Sequence, residues 1–270
     1  MIERLKKTKP LIIASGPWSQ PAWLSKHADI AKIKEHVGAI VTKTITYDKR
    51  EGVEYQVVKP FAADSWFNRI GLKNEGVWHF LENDLPFLRL LGIPVIASIT
   101  LEAKVYELVE VLQPYVDAFE INLGCPSVSP VASVGAKMDL RLLREDITKT
   151  MFVKVPPNLK FATDIITHAP SSKIDAVVMS NSKPLETYYL GRFITGGVSG
   201  PVIRPEREEM QRNLSLVVAK TKLPTVACGG ISDIESARKA LETADLIQIG
   251  CQHLDNPDIS WQLASQINKA

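Results

Sequence analysis

Residues 225–230 read Thr-Val-Ala-Cys-Gly-Gly, a short apolar run that stops on a pair of glycines. A strand covered on one face alternates apolar and polar residues, whereas a strand covered on both faces reads as a continuous apolar run. Thr225–Cys228 is of the second kind. Similar runs lie on either side of it: Leu246–Ile249 after it, and before it Ala176–Ser180, Met151–Val155, Ala118–Leu123, Pro94–Ile99, Ala39–Thr44 and Leu11–Ser15. The segments between them have helical spacing. Glu102–Leu112 sets Val105, Leu108, Val109 and Leu112 on one face, and Ser232–Leu241 opens with Ser232 and Glu235 at capping-box separation. Eight such β–α units close into a barrel more readily than they form an open sheet, because closure leaves no strand as an edge. An open doubly wound sheet is the structural alternative. The expected fold is therefore α/β, a (β/α)8 TIM barrel, and residues 1–270 are expected to form one domain without repeats or a linker.

The bulk composition removes several function classes. At 270 residues and 45% hydrophobic, the chain buries a stable core without staples. A net charge of +2 with no basic stripe argues against nucleic acid or a membrane surface as partner. No segment approaches 18 uninterrupted apolar residues, and no apolar stretch of signal-peptide length precedes Pro10. Arg4, Lys6, Lys7 and Lys9 read as a solvated helix or a fraying terminus. Three cysteines without CxxC spacing argue against a disulfide framework and against a zinc or iron–sulfur site, so a reducing, cytoplasmic setting is expected. Five scattered histidines offer no metal site, and neither a GxSxG elbow nor a P-loop is present.

In a barrel the strand ends face the reaction site. Here those ends carry Ser15-Gly16, Lys43-Thr44, Asn122 followed by Cys125, Lys154, Asn181-Ser182, Gly229-Gly230 and Gly250-Cys251. Two lysines there need an anionic or acceptor partner. Glycines after the last two strands suit a phosphate group, held by loop amides and a helix N-terminus, although a tight turn is the plainer account. Cys125 falls in a loop just past the fourth strand and precedes a proline, a position where a thiol can accept a proton. Cys228 is better explained as strand packing, and Cys251 as packing or as a backbone contact to phosphate. The long intervals from Thr44 to Pro94 and from Ser180 to Thr225 are either loop drift or a substrate lid and part of a cofactor pocket.

An ordered set of motifs resembles one family. The set comprises Ala14-Ser-Gly-Pro17, Thr42-Lys-Thr-Ile-Thr46, Lys49-Arg-Glu-Gly52, Glu120-Ile-Asn-Leu-Gly-Cys-Pro126, Phe152-Val-Lys-Val-Pro-Pro157, Met179-Ser-Asn-Ser182, Gly196-Gly-Val-Ser-Gly200, Ala227-Cys-Gly-Gly-Ile231 and Gln248-Ile-Gly250. It resembles the dihydroorotate dehydrogenases of class 1, and Asn68–Gly76 looks most like the subtype with a separate electron-transfer subunit.

The resemblance implies FMN. Its phosphate is expected near Gly229, Gly230, Gly250 and Cys251, and its ring beside Ser15, Gly16, Lys43, Thr44 and Lys154. Ala14 and Ser180 complete this cofactor set, and Gly200 packs by the flavin or its ribityl chain. Asn68, Gly71, Leu72, Asn122, Ser127, Asn181 and Ser182 are expected to hold a pyrimidine-like substrate. Cys125 matches the base that removes a C5 proton while hydride leaves C6, with Lys43 as the second catalytic residue and Lys154 as a fixed cation. An iron–sulfur and FAD partner subunit and a homodimer are implied, since three cysteines are too few for a cluster here. The family usually has Asn where this chain has Ser127, which leaves FMN binding intact but leaves the substrate open between dihydroorotate, a related small cyclic amide and a different molecule. Asn122–Ser127 also resembles the tRNA-dihydrouridine synthases, and a barrel that binds flavin or phosphate without catalysis is the third reading.

Overall fold

The computed structural model describes residues 1–125 and 135–268. Twelve strands appear in chain order: β1 (Leu11–Ile13), β2 (Ala39–Val41), β3 (Val57–Ala62), β4 (Ser65–Arg69), β5 (Val95–Ile99), β6 (Ala118–Asn122), β7 (Thr150–Val155), β8 (Ala176–Met179), β9 (Lys183–Tyr189), β10 (Arg192–Ser199), β11 (Thr225–Cys228) and β12 (Leu246–Ile249). Eight of them close a barrel, β1-β2-β5-β6-β7-β8-β11-β12 and back to β1, with every pairing parallel. These are the eight apolar runs of the sequence. β1 and β2 stop two and three residues early, which leaves Lys43 and Thr44 just beyond the last residue of β2.

Strand period sorts the core into two shells. Successive side chains point to opposite faces, so in β1 Leu11 and Ile13 pack outward on the helices while Ile12 points into the barrel. The interior shell gathers Ile12, Val41, Ile96, Phe152, Val178, Val226 and Leu246, and Ile2 and Leu5 of the helix Ile2–Thr8 pack against it. Burying each of these two side chains contributes about 1.5–3 kcal/mol. The basic residues of that helix stay at the surface, where Lys6 pairs with Asp245 at 2.8 Å.

Two local expectations are corrected. The helix after β5 is Val105–Leu112, because residues before Val105 form a turn in which its N–H donates to the Glu102 carbonyl at 3.1 Å. The helix Ile234–Leu241 is capped by Asp233, not Ser232. The Asp233 carboxylate accepts from Ser236 N at 2.7 Å, and Ser236 Oγ accepts from Asp233 N at 3.2 Å. Ser232 Oγ donates to Asp233 Oδ2 at 2.9 Å and so supports the cap.

The two long insertions hold structure that their Gly- and Asn-bearing text did not announce. Each is a hairpin, β3–β4 and β9–β10, and together they form one antiparallel sheet in the order β3-β4-β10-β9. Val57, Phe67, Ile194, Val198 and Ile203 make its small core. A Cβ on Gly196 would stand 2.5 Å from the Phe67 ring, so the close approach of β10 to β4 requires glycine there. Residues of this sheet line the cleft at the barrel mouth.

Candidate active site

A cleft opens at the C-terminal ends of the barrel strands, roofed by the four-stranded sheet. Ala14, Ser15 and Gly16 reach it from the end of β1, Lys43 and Thr44 from β2, and Asn122 and Cys125 from β6. Lys154 of β7 joins them, with Ser180, Asn181 and Ser182 after β8, Gly229 and Gly230 after β11, and Gly250 and Cys251 after β12. Asn68, Gly71, Leu72 and Gly200 enter from the insertions. Thus the structure brings together the residues expected from the strand ends and from the resemblance. Ser127 lies outside the described residues.

At its floor the cleft meets a polar layer inside the barrel. The alternation of β6, β7 and β12 turns Glu120, Lys154 and Gln248 inward between outward-facing apolar neighbours. Lys154 Nζ lies 3.7 Å from Glu120 Oε1 and 3.5 Å from Gln248 Oε1, while Gln248 Nε2 donates to Glu120 Oε2 at 2.7 Å. Glu120 is fully buried, and among the described residues its Oε1 accepts no hydrogen bond within 3.5 Å. Burial works against the Lys154 ammonium, but its interactions with Cys228 and then with Glu120 outweigh that and raise its pKa. Cys228 sits in the same layer. It is buried, as expected of strand packing, but it also borders the cleft beside Lys154. Burial pushes its thiol pKa up, which keeps it protonated at neutral pH.

Above this layer a chain of side-chain hydrogen bonds ties four strand ends together. Thr44 Oγ1 and Ser98 Oγ are 2.9 Å apart, Asn122 Nδ2 donates to Thr44 Oγ1 at 3.2 Å, and Asn181 Nδ2 donates to Asn122 Oδ1 at 2.8 Å. Ser182 N donates to Asn181 Oδ1 at 2.9 Å, and Ser182 Oγ meets Ser199 Oγ at 2.8 Å, which carries the chain to the roof. Lys43 is mostly buried at the same level; desolvation, with Lys73 nearby, lowers its pKa. Cys125 is half-buried and on the cleft wall.

The glycine end of the cleft has a different chemistry. Gly229 and Gly230 have φ of +101° and +71°, which L side chains rarely adopt. A Cβ on Gly230 would stand 2.6 Å from the Arg204 backbone, so the glycine pair is also demanded by the packing of the helix Arg204–Thr221. The Trp18 indole occupies the Cβ directions of Gly16 and Gly250, and its Nε1 donates to the Ala14 carbonyl at 2.7 Å. The N-terminus of the helix Ile234–Leu241 is taken by its Asp233 cap, so the anion donors at this end are loop amides and the first turn of the 3-10 helix Cys251–Leu254. Burial raises the Cys251 thiol to about 12, and Gln252 Nε2 approaches its sulfur at 3.9 Å, so the thiol adds no negative charge at this end.

The arrangement suits a flat heterocycle carrying a phosphate: an apolar slot, backbone donors at one end, two lysines along it, and a thiol and paired amides on the wall. Sequence reading gave no role to Glu120, Ser98, Trp18, Arg204 and Arg207. Glu120 had a signal, a carboxylate inside an otherwise apolar strand, which demands an interior partner. The others are brought to the site by packing alone. Among the described residues no group of three or more His, Cys, Asp or Glu could hold a metal, and no helix is long and apolar enough to cross a membrane.

Residues 2–270 match the model of the dihydroorotate dehydrogenase family. The catalytic subunit of dihydroorotate dehydrogenase B (NAD(+)) from Caldicellulosiruptor bescii is 32% identical over 274 residues, covering 95% of this chain and 88% of that one. The corresponding subunit from Bacteroides thetaiotaomicron is 28% identical, covering 99% and 91%. The crystal structure of DHODH in complex with ferulenol from Eimeria tenella superposes with a TM-score of 0.76 at 17% identity, covering 97% of this chain and 84% of that one, a likeness of fold.

Proposed function

We propose that this chain, a member of the dihydroorotate dehydrogenase family, uses FMN to oxidise dihydroorotate or a close dihydropyrimidine in the cleft at its barrel mouth. The observation that carries this reading is the meeting of Cys125, Lys43, Lys154 and the Asn122–Asn181 pair in one cleft with an amide-rich glycine end. The family is one of flavin-dependent oxidoreductases acting on a CH–CH bond, and the chain is such an enzyme.

FMN would be held with its phosphate against the Gly229-Gly230 and Gly250-Cys251 loops and its ring between Ser15-Gly16, Lys43-Thr44 and Lys154, with Ala14, Ser180 and Gly200 packing around it. Bound there, it supplies the hydride acceptor. The protein's own part is proton transfer and positioning. Cys125 Sγ takes the C5 proton as hydride leaves C6, so the two hydrogens depart to different acceptors and the C5–C6 double bond forms. A carbon acid yields its proton only to a base held in place. Lys154, beside Cys228 and Glu120, and Lys43 present positive charge where negative charge builds up. Asn68, Asn122, Asn181 and Ser182 hold the planar amide ring of the substrate, with Gly71 and Leu72 beside it.

Residues 1–270 act as one FMN-binding unit in this reading. Electrons leave to a separate iron–sulfur and FAD subunit, as the relatives' designation as catalytic subunits supports. A homodimer and a cytoplasmic setting accompany it. The test is an anaerobic titration of the FMN-loaded protein. Dihydroorotate or a related dihydropyrimidine is expected to bleach the flavin absorbance. A yellow protein that none of them bleaches would remove the dehydrogenase reading.

A further inference from the structure

The glycine loops at the cleft are held from behind. Arg207 Nε donates to the Gly229 carbonyl at 3.0 Å, and Arg204 Nε donates to the Gly230 carbonyl at 2.6 Å. His253 Nδ1 lies 2.7 Å from the Gly250 carbonyl. The trans peptide is planar, and its N–H points opposite to its C=O. Fixing these three carbonyls therefore fixes the N–H groups of Gly230, Ile231 and Cys251 in the opposite direction. All three residues line the cleft; among the described residues the N–H groups of Gly230 and Ile231 have no acceptor within the chain, and that of Cys251 reaches only the sulfur of its own side chain. Oriented donors without partners mark a place where an acceptor is expected.

We propose that Arg204, Arg207 and His253 are positioning residues, which turn three backbone N–H groups toward the cleft and thereby set its affinity for the phosphate of the bound ligand. The proposal rests on the placement of the phosphate given above. Orientation, rather than net charge, is what these side chains contribute. Arg204 is paired with Asp233 at 3.2 Å and Arg207 approaches Glu208 at 3.6 Å, so both cations are partly neutralised on the side away from the carbonyls. Arg204 Nη2 is further tied to Ser232 Oγ at 2.8 Å, and Arg207 Nη1 donates to Gln211 Oε1. Both forks are thus clamped by other groups while their Nε–H points at glycine. Arg207 is fully buried, and among the described residues its Nη2 has no hydrogen-bond partner, a cost carried beside the contact its Nε makes to glycine. His253 is buried between Trp18 and Trp23, and burial lowers its pKa to about 4, so the neutral ring donates from Nδ1 and meets Ser260 Oγ at 2.8 Å through Nε2.

The experiment compares FMN with riboflavin, which lacks the phosphate. Flavin-free protein is titrated with each, following the quenching of flavin fluorescence. Wild type is expected to prefer FMN. Arg204→Met and Arg207→Met are each expected to lower FMN affinity by about tenfold, in line with the loss of one oriented charge-assisted contact, while riboflavin affinity stays unchanged. Arg204→Lys, which keeps the charge but loses the Nε–H, is expected to behave like Arg204→Met. Arg204 is more exposed than Arg207, so its variants keep the test decisive where Arg207→Met fails to fold. An FMN preference undiminished in Arg204→Met, equal losses for both flavins, or full recovery in Arg204→Lys would overturn the proposal. Equal affinity of the wild type for FMN and riboflavin would overturn the phosphate placement itself, and the proposal with it.

Discussion

Asn181 Nδ2 donates to Asn122 Oδ1 at 2.8 Å, so two side-chain amides join the end of β8 to the end of β6 across the barrel mouth. Each amide is held at its other end, Asn122 by Thr44 and Asn181 by the backbone of Ser182. The pair is therefore a pre-set surface, whose orientation does not have to be established when a ligand enters.

Removing one member should loosen that surface. Asn181→Ala leaves Asn122 Oδ1 with the Gly124 N–H at 3.3 Å and lets the Asn122 amide turn. The expected result in steady-state kinetics is a KM for dihydroorotate raised about tenfold, with a smaller change in kcat, as for a group that binds ground and transition states alike. A KM equal to wild type would take Asn181 out of substrate binding.

Cys125→Ala removes the proposed base. Stopped-flow reduction of the bound flavin by dihydroorotate is expected to slow by about 10²–10⁴, the usual worth of a positioned acid–base group. FMN content should not change. Reduction at the wild-type rate would mean that another group takes the proton.

Glu120→Gln keeps the shape of the buried layer and removes its negative charge. Lys154 then has only Cys228 and the Gln248 carbonyl to set against desolvation, and the folded state is expected to lose roughly 3 kcal/mol at pH 7 in urea unfolding. The sign of the pH dependence follows from linkage. In the wild type the folded pKa of Lys154 is raised, so the pair's stabilisation is complete below about pH 10 and falls away only as pH rises through the folded value. In the variant the folded pKa drops below the unfolded one, so stability recovers as pH rises from neutral. The gap between the two proteins should narrow between about pH 7 and pH 10; a constant gap would show that the Lys154 charge is not what the substitution strands.

Asp233→Ala removes a helix cap and one anchor of Arg204. Desolvation opposes the Asp233 carboxylate, but the N–H and hydroxyl of Ser236 and the hydroxyl of Ser232 hold its pKa at about 2, below the ordinary 3.8. A cost of about 1 kcal/mol near neutral pH is expected for the lost cap. Since the folded pKa is depressed, this contribution is full above pH 3.8 and disappears as pH falls toward 2. Thermal or urea unfolding of both proteins should converge over that acid window, and curves that stay parallel would contradict it.

The eight barrel strands were legible in the sequence because strands buried on both faces carry one continuous signal, and Thr225–Cys228 or Ala176–Met179 cannot be read otherwise without exposing a fully apolar run. The strand ends told equally plainly that Lys43, Asn122, Cys125 and Asn181 would share a rim, because parallel strands in a barrel all finish at the same mouth. The hairpins β3–β4 and β9–β10 were not legible. Their pairing is antiparallel and partner-dependent, and half of their side chains face solvent, so glycine and asparagine text reads as loop until Phe67 and Val198 meet. Nor could the sequence tell that Asp233, one residue past the expected Ser232, caps its helix, since both residues carry acceptors and only the backbone turn selects between them. Sequence determined the barrel and which residues would reach its mouth, because burial period and strand direction are local properties. Only the tertiary structure decided that Glu120 answers Lys154, and that Arg204 and Arg207 grip the glycine carbonyls. Those partners come from separate strands and helices, and no local pattern records who will stand opposite whom once the chain has closed.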